Sequence, residues 1–332
     1  MGDPYSLLAA QYLEPLADRY GIRFDVQALP AAQSADSPQQ LLRRAWAERD
    51  VQRLAPRCGI QIAHLREPAG LDTSAAALRQ GESIRHRSGL ELAGMFAFEG
   101  ERYAGVDRLH YLEQRLGAEG CLPLFAPPSL TFSPVAHVKP AVIHFYCSLR
   151  SPYTYLACER LNRLAAHYRA AIRLRPLMPM VKRGVPLSRA KRFYLVRDAA
   201  REGRRLGIPF GDIADPLGIP AERGLAVLHR AIGQGRGEAF LESFLRGVFA
   251  QGIDAGTMQG LGRLAQRVGI EAREVASALG ESAWREEAEH NRRELHAQGL
   301  WGVPSFQLEG RPALWGQDRL WMLEEDLRGE VQ

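Results

Sequence analysis

The chain has 332 residues, 46% hydrophobic and 24% charged, with a formal net charge of +5. That length exceeds a usual single domain and that balance is ordinary for a folded protein, so disorder is excluded and two domains are expected. The arginines are dispersed among acidic residues, and neither "KRFYLVRDAAREGRR" nor any other segment joins dense basic clustering with exposed aromatics, so no nucleic-acid partner is expected.

The N-terminal "MGDPYSLLAAQYLEPLADRY" starts acidic and becomes amphipathic, without the basic and apolar regions of an export leader. No apolar run approaches 18 residues, so no membrane partner is expected and the protein is read as cytoplasmic. Cys58, Cys121, Cys147 and Cys158 form no CxxC pair and no metal-ligand spacing, which leaves buried thiols and no metal site.

Shifting the sequence by 148 positions places "DPYSLLAAQYLEPLADRYGIRFDVQAL" on "SPYTYLACERLNRLAAHYRAAIRLRPL". Without a gap, Arg49 and Asp50 then fall on Arg197 and Asp198, Arg53 on Arg201, Gly59 on Gly207 and Gly70 on Gly218. About 18 of 68 positions agree, against roughly one in fifteen by chance. A second block, "GLELAGMFAFEGERYAGVDRLHYLEQRL", lies on "GLWGVPSFQLEGRPALWGQDRLWMLEEDL" with one single-residue gap. The sequence therefore reads as two copies of one unit: a degenerate first copy over residues 1–121, a Pro-rich linker over 122–140, and a second copy over 141–330. The centre of the linker, "SLTFSPVAHV", has the alternative reading of an edge strand completing the first copy.

In the second copy "AVIHFYC" predicts a buried strand, and the Ser151-Pro152 pair predicts a helix start with a hydroxyl cap and Pro in the first turn. Tyr155, Leu156, Leu161 and Leu164 share one face of that helix. "AIRLRPL" predicts a second strand. A helical insert over about 180–298 follows, then a hairpin in "GVPSFQLEGRPALWGQ" and a last helix in "DRLWMLEEDL". Such an α/β order is thioredoxin-type, with a helical domain inserted midway into the second of two tandem units.

Through "FYCSLRSPYTYLA", "KRFYLVRDAAREGRRLGIP", "GVPSF" and "WGQDRL", residues 141 to 327 resemble the DsbA-like thioredoxin-fold superfamily, in its branch of 2-hydroxychromene-2-carboxylate isomerases and kappa-class glutathione transferases. The resemblance implies that glutathione is the cofactor and that Ser151, where disulfide oxidoreductases carry the first cysteine of CxxC, is the catalytic residue donating to its thiolate. It further implies a cis Val303-Pro304 bond whose Val303 backbone pairs with the glutathione peptide, and Gln317 and Asp318 holding its γ-glutamyl end. Tyr153, Lys191 and Tyr194 are weaker candidates for binding substrate. Each residue also has a plain reading: Ser151 and Asp318 as helix caps, Lys191 and Tyr194 as an exposed helix face.

Two departures bear on the substrate. Ser148 stands where the isomerases usually carry an aspartate, and the loop from Met180 to Ser188 has no asparagine. In the first copy Asp3 replaces the serine and Gly94 replaces the proline, so that copy is read as catalytically silent and packed on the second as an internal partner, a homodimer being the other arrangement considered. His144, His229 and His296 lack the spacing of a hydrolase relay with Ser151. The expected function is a glutathione-dependent isomerase or transferase acting on a small aromatic or unsaturated keto acid. A non-catalytic tandem binding or scaffold protein is the alternative, and a disulfide oxidoreductase is disfavoured because the turn lacks CxxC.

Overall fold

A computed structural model of the chain describes residues 3–29, 38–88, 94–117, 122–134, 140–179 and 188–329. They divide into two compact units, Met1–Ser129 with Ser188–Tyr194, and Leu130–Leu187 with Leu195–Gln332.

The first unit opens with α1 (Pro4–Ala10) and α2 (Leu13–Tyr20), which interrupt one helical pattern at Gln11 and Tyr12. Pro15 explains the break: its ring would collide with the Gln11 carbonyl and it has no N–H to donate there, whereas a first-turn position in α2 tolerates it. Residues 22–29 carry no regular secondary structure and pair with no strand among the described residues. Next come α3 (Pro38–Arg57), α4 (Ala75–Ser88) and a hairpin of β1 (Met95–Phe98) and β2 (Glu101–Ala104), then a 3-10 turn over Val106–Arg108 and α5 (Leu109–Arg115). Leu8, Leu16, Leu54, Tyr103 and Leu109 form its buried centre.

In the second unit β3 (Val142–Cys147) leads into α6 (Pro152–His167) and β4 (Ala171–Pro176). Among the described residues six helices follow: α7 (Arg189–Leu206), whose residues up to Tyr194 group with the first unit, α8 (Ile219–Gly233), α9 (Gly237–Ala250), α10 (Met258–Gln266), α11 (Ala272–Leu279) and α12 (Ala283–Ala297). The chain closes with β5 (Ser305–Leu308), β6 (Leu314–Trp315), a 3-10 turn over Gln317–Arg319 and α13 (Leu320–Arg328).

The sheet order is β4-β3-β5-β6, with β3 parallel to β4 and the remaining pairs antiparallel. Leu156, Leu161 and Leu164 of α6 are fully buried and Tyr155 nearly so, as the predicted face requires. Each such leucine stabilises by about 1.5–3 kcal/mol, more than the roughly 1 kcal/mol of an N-cap. Packing therefore holds α6, and the cap fixes where it starts. Antiparallel register sets Tyr146 opposite Ser305. One residue beyond each, the end of β3 and the start of β5 bring the turn before α6 beside the Val303-Pro304 loop.

The linker's alternative reading as an edge strand is not met: residues 129–134 form no strand, and 135–139 lie outside the described residues. Thr131 instead spends its N–H and hydroxyl on Glu324, at 2.8 and 3.0 Å, and Phe132 sits edge-on to His167 under the Arg163 guanidinium. A segment with two donors on a buried carboxylate in α13 has a stronger anchor than a strand edge would offer it.

Several contacts recur in both units. Tyr5 donates to Asp50 Oδ2 at 2.6 Å, and Tyr153, 148 residues on, donates to Asp198 Oδ2 at 2.6 Å. Tyr20 donates to Glu113 and Tyr168 to Glu324, each at 2.9 Å. Gly59 and Gly207 end the corresponding helices with φ of 69 and 68°. The Gly94 carbonyl accepts from Gly105 N–H at 3.2 Å, and the Pro304 carbonyl from Gly316 N–H at 3.0 Å.

Candidate functional site

Ser151 has extended backbone (φ −98°, ψ 113°) and its Oγ accepts from Thr154 N–H at 3.1 Å, which caps α6; Pro152 occupies the first helical turn. The same hydroxyl reaches the Val303 carbonyl, a long contact at 3.4 Å. Ser151 is half-buried, and the positive end of a 16-residue helix dipole meets solvent beside it. Across from it the Val303-Pro304 peptide is cis. Among the described residues no hydrogen bond occupies the Val303 N–H.

Charge surrounds this turn without entering it. Arg150 binds Asp215 through two 2.7 Å bonds. Tyr153 is tied by its phenol to Asp198, a buried carboxylate that also faces Arg201 at 3.2 Å. This bond fixes the ring's hydroxyl to α7, so Tyr153 braces the turn. The buried hydroxyls of Ser148 and Thr154 have no hydrogen-bond partner; nothing in the structure explains the first.

Gln317 is 1% exposed and its amide is fully engaged: its NH₂ donates to Glu202 at 2.7 Å and its Oε1 accepts from Arg160 at 2.6 Å. Arg205 holds Glu202 from the other side by two bonds of 3.1 and 2.8 Å. Burial, and then the charge of Arg205, pulls the Arg160 guanidinium down to about 10, still protonated at neutral pH. Asp318 remains partly exposed, 3.5 Å from Arg319. Of the two residues expected at a γ-glutamyl group, the Asp318 carboxylate is therefore presented to solvent, whereas the Gln317 amide is locked into the protein.

Lys191 and Tyr194 fall by their contacts in the first unit, where the Tyr194 hydroxyl accepts from the Ala104 N–H at 3.2 Å. Residues 180–187, most of the loop that lacks an asparagine, lie outside the described residues. Cys147 and Cys158 are buried thiols outside any disulfide. Burial pushes Cys147 and Cys158 well up, so both stay protonated and neither is a nucleophile. Among the described residues no group of three His, Cys, Asp or Glu is arranged to hold a metal, and no helix is long and apolar enough to cross a membrane. His144 is held between Arg175 and Glu309, and His229 by Glu287, so neither serves Ser151.

The buried polar set of Asp198, Glu202 and Arg160 escapes the sequence reading. Asp198 carries one signal, its recurrence as Asp50, but Glu202 and Arg160 read as ordinary helix-face charges until tertiary packing buries them.

The DSBA-like thioredoxin domain family matches residues 142–328. Two 2-hydroxychromene-2-carboxylate isomerases are similar in sequence: one from Pseudomonas putida, 27% identical over 55% of this chain and 92% of the relative, and one from Sphingobium xenophagum, 26% identical over 56% and 97%. A solved 2-hydroxychromene-2-carboxylate isomerase superposes with a TM-score of 0.50 at 24% identity, covering 57% of this chain and 95% of the other, a likeness of fold. The matched span starts at β3 and ends in α13, taking in the Ser151 turn, the cis-proline loop and the whole four-stranded sheet. By that match the chain belongs to the DSBA-like thioredoxin domain family.

Proposed function

We propose that the chain is a glutathione-dependent isomerase or transferase acting on a small aromatic or unsaturated keto acid at Ser151. The observation that carries this reading is the cysteine-free helix cap. A family turn that elsewhere works by dithiol exchange here starts α6 with a serine hydroxyl that reaches the Val303 carbonyl, and two 2-hydroxychromene-2-carboxylate isomerases are similar over about half of the chain.

The residues fit glutathione on three counts. Ser151 Oγ–H is only weakly occupied by its 3.4 Å contact with Val303 and is able to turn toward a thiolate. The α6 N-terminus favours negative charge there. The Val303 backbone offers an extended edge to a peptide, and the Asp318 carboxylate suits an ammonium group. When bound, glutathione supplies a thiol nucleophile that adds to an unsaturated carbon and is released unchanged. Ser151 and the helix dipole lower the pKa of that thiol, Val303 and Asp318 orient the tripeptide, and Gln317 acts indirectly, fixing the loop that carries Asp318 through Glu202 and Arg160.

The recurrent Tyr–Asp and Tyr–Glu contacts support descent of both units from one, the second having gained the helical region between β4 and β5. We read the first as catalytically silent: Asp3 puts a carboxylate where a thiolate would have to sit.

Titration calorimetry with reduced glutathione, followed by absorbance assay on 2-hydroxychromene-2-carboxylate, tests the proposal. Saturable binding and glutathione-dependent turnover are expected. Absence of binding at millimolar glutathione would favour a non-catalytic scaffold.

A further inference from the structure

The buried, unpartnered Thr154 hydroxyl has a counterpart in the first unit that is not unpartnered. Ser6 lies 148 positions earlier, likewise three residues after the cap of its helix, and its Oγ accepts from the Gly94 N–H at 3.0 Å. Gly94 immediately precedes β1 as Pro304 immediately precedes β5, and both carbonyls accept from the glycine ahead of the following 3-10 turn. The bond draws loop and helix together: a Cβ at Gly94, with φ of 63°, would lie 2.8 Å from the Tyr5 carbonyl oxygen. In the second unit Pro304 has no N–H to give. Thr154 Oγ1 is left without a donor in a fully buried side chain, and only the 3.4 Å Ser151–Val303 contact spans the gap.

From this contrast we propose that Thr154 and Pro304 together hold the second unit's cleft open: the hydroxyl that closes the first unit on its loop is kept idle in the second because proline cannot donate to it. The first unit is thus the locked form of the same turn, and glycine at position 304, which has an N–H and no Cβ to meet the carbonyl, would convert the second toward it. Thr154 is a positioning residue, since its buried hydroxyl is out of a ligand's reach. The ligand arm of this inference rests on the glutathione reading; the stability arm does not.

The test is a double-mutant cycle on the full chain with Thr154→Val and Pro304→Gly, read by thermal unfolding and by glutathione calorimetry. In the wild-type background Thr154→Val should raise the melting temperature, because it deletes an unsatisfied hydroxyl. In the Pro304→Gly background it should lower it, because it deletes the acceptor of a new bond. Pro304→Gly alone should weaken glutathione binding at least tenfold, and Thr154→Val added to it should restore most of that loss. Should Pro304→Gly not fold, Thr154→Val alone remains decisive, since a fall in its melting temperature would overturn the proposal. An effect of Thr154→Val with one sign in both backgrounds would overturn the proposal, as would a closed-cleft loss of binding that the second substitution does not relieve. If the sign reverses while the wild-type chain binds no glutathione, the lock stands and the glutathione reading falls.

Discussion

The two units share a helix start, a Tyr–Asp tie, a Tyr–Glu tie and a hairpin followed by a 3-10 turn and helix, yet one helix is capped by a serine hydroxyl and the other by an aspartate carboxylate. The Tyr–Asp tie braces the helix start in each unit, while the residue that caps the helix and the residue that precedes the hairpin differ: Asp3 and Gly94 in one, Ser151 and Pro304 in the other. Ties such as Tyr153–Asp198 hold the helix start in both units, and the proposed chemistry turns on what caps it and what opposes it.

The largest expected break in the comparison is at the caps. Asp3→Ala and Ser151→Ala should each cost about 1 kcal/mol of stability through the lost cap. Only Ser151→Ala should also lower glutathione-dependent turnover about a hundredfold, the scale of losing one donor to a developing anion. Steady-state kinetics on both variants decides it, and equal turnover in the two would remove Ser151 from the chemistry.

Next are the buried carboxylates. Burial by itself would raise the Glu324 pKa, but hydrogen bonds from Thr131, Tyr168 and the Phe132 backbone outweigh it and hold the group below its ordinary 4.5. A depressed carboxylate contributes stability that is present above the unfolded value and lost as pH falls through the folded one. Denaturant melts should show the second unit weakening on acidification below about pH 4.5. Glu324→Gln should cost about 1.5–3 kcal/mol at neutral pH and flatten that slope. A variant whose acid slope matched the wild type would show that Glu324 does not set it.

The tyrosine ties should respond alike. Tyr5→Phe and Tyr153→Phe each remove one 2.6 Å bond to a buried carboxylate and should each destabilise by about 1–3 kcal/mol, with the double variant near the sum. Chemical denaturation of the three variants measures this. A markedly larger fall in turnover than in stability for Tyr153→Phe would give its phenol a role beyond bracing. Smallest is the effect at Arg150: its bidentate pair with the half-exposed Asp215 should add no more than about 1 kcal/mol. Arg150→Gln should accordingly leave the melting temperature within a few degrees and lose salt sensitivity at the turn.

Much of this fold was legible because it is written in local chemistry. An apolar run of β-branched and aromatic residues marked β3, alternation marked β4, Ser151-Pro152 marked the start of α6, and Glu-Gly marked the β5–β6 turn. The 148-position self-similarity of the sequence has a counterpart in contacts, Tyr5 with Asp50 and Tyr153 with Asp198. Positions with no local signature were decided by tertiary structure alone. Gln317 looked like a ligand by type and place, and became a structural amide because Glu202 and Arg160, distant in sequence, converge on it in a buried site where every polar group needs a partner. The linker's Thr131 went to Glu324 for the same reason. Residues 22–29 have strand-like composition but remain unpaired in the described structure, because a strand exists only where another backbone meets its hydrogen bonds, and no sequence window contains its own partner.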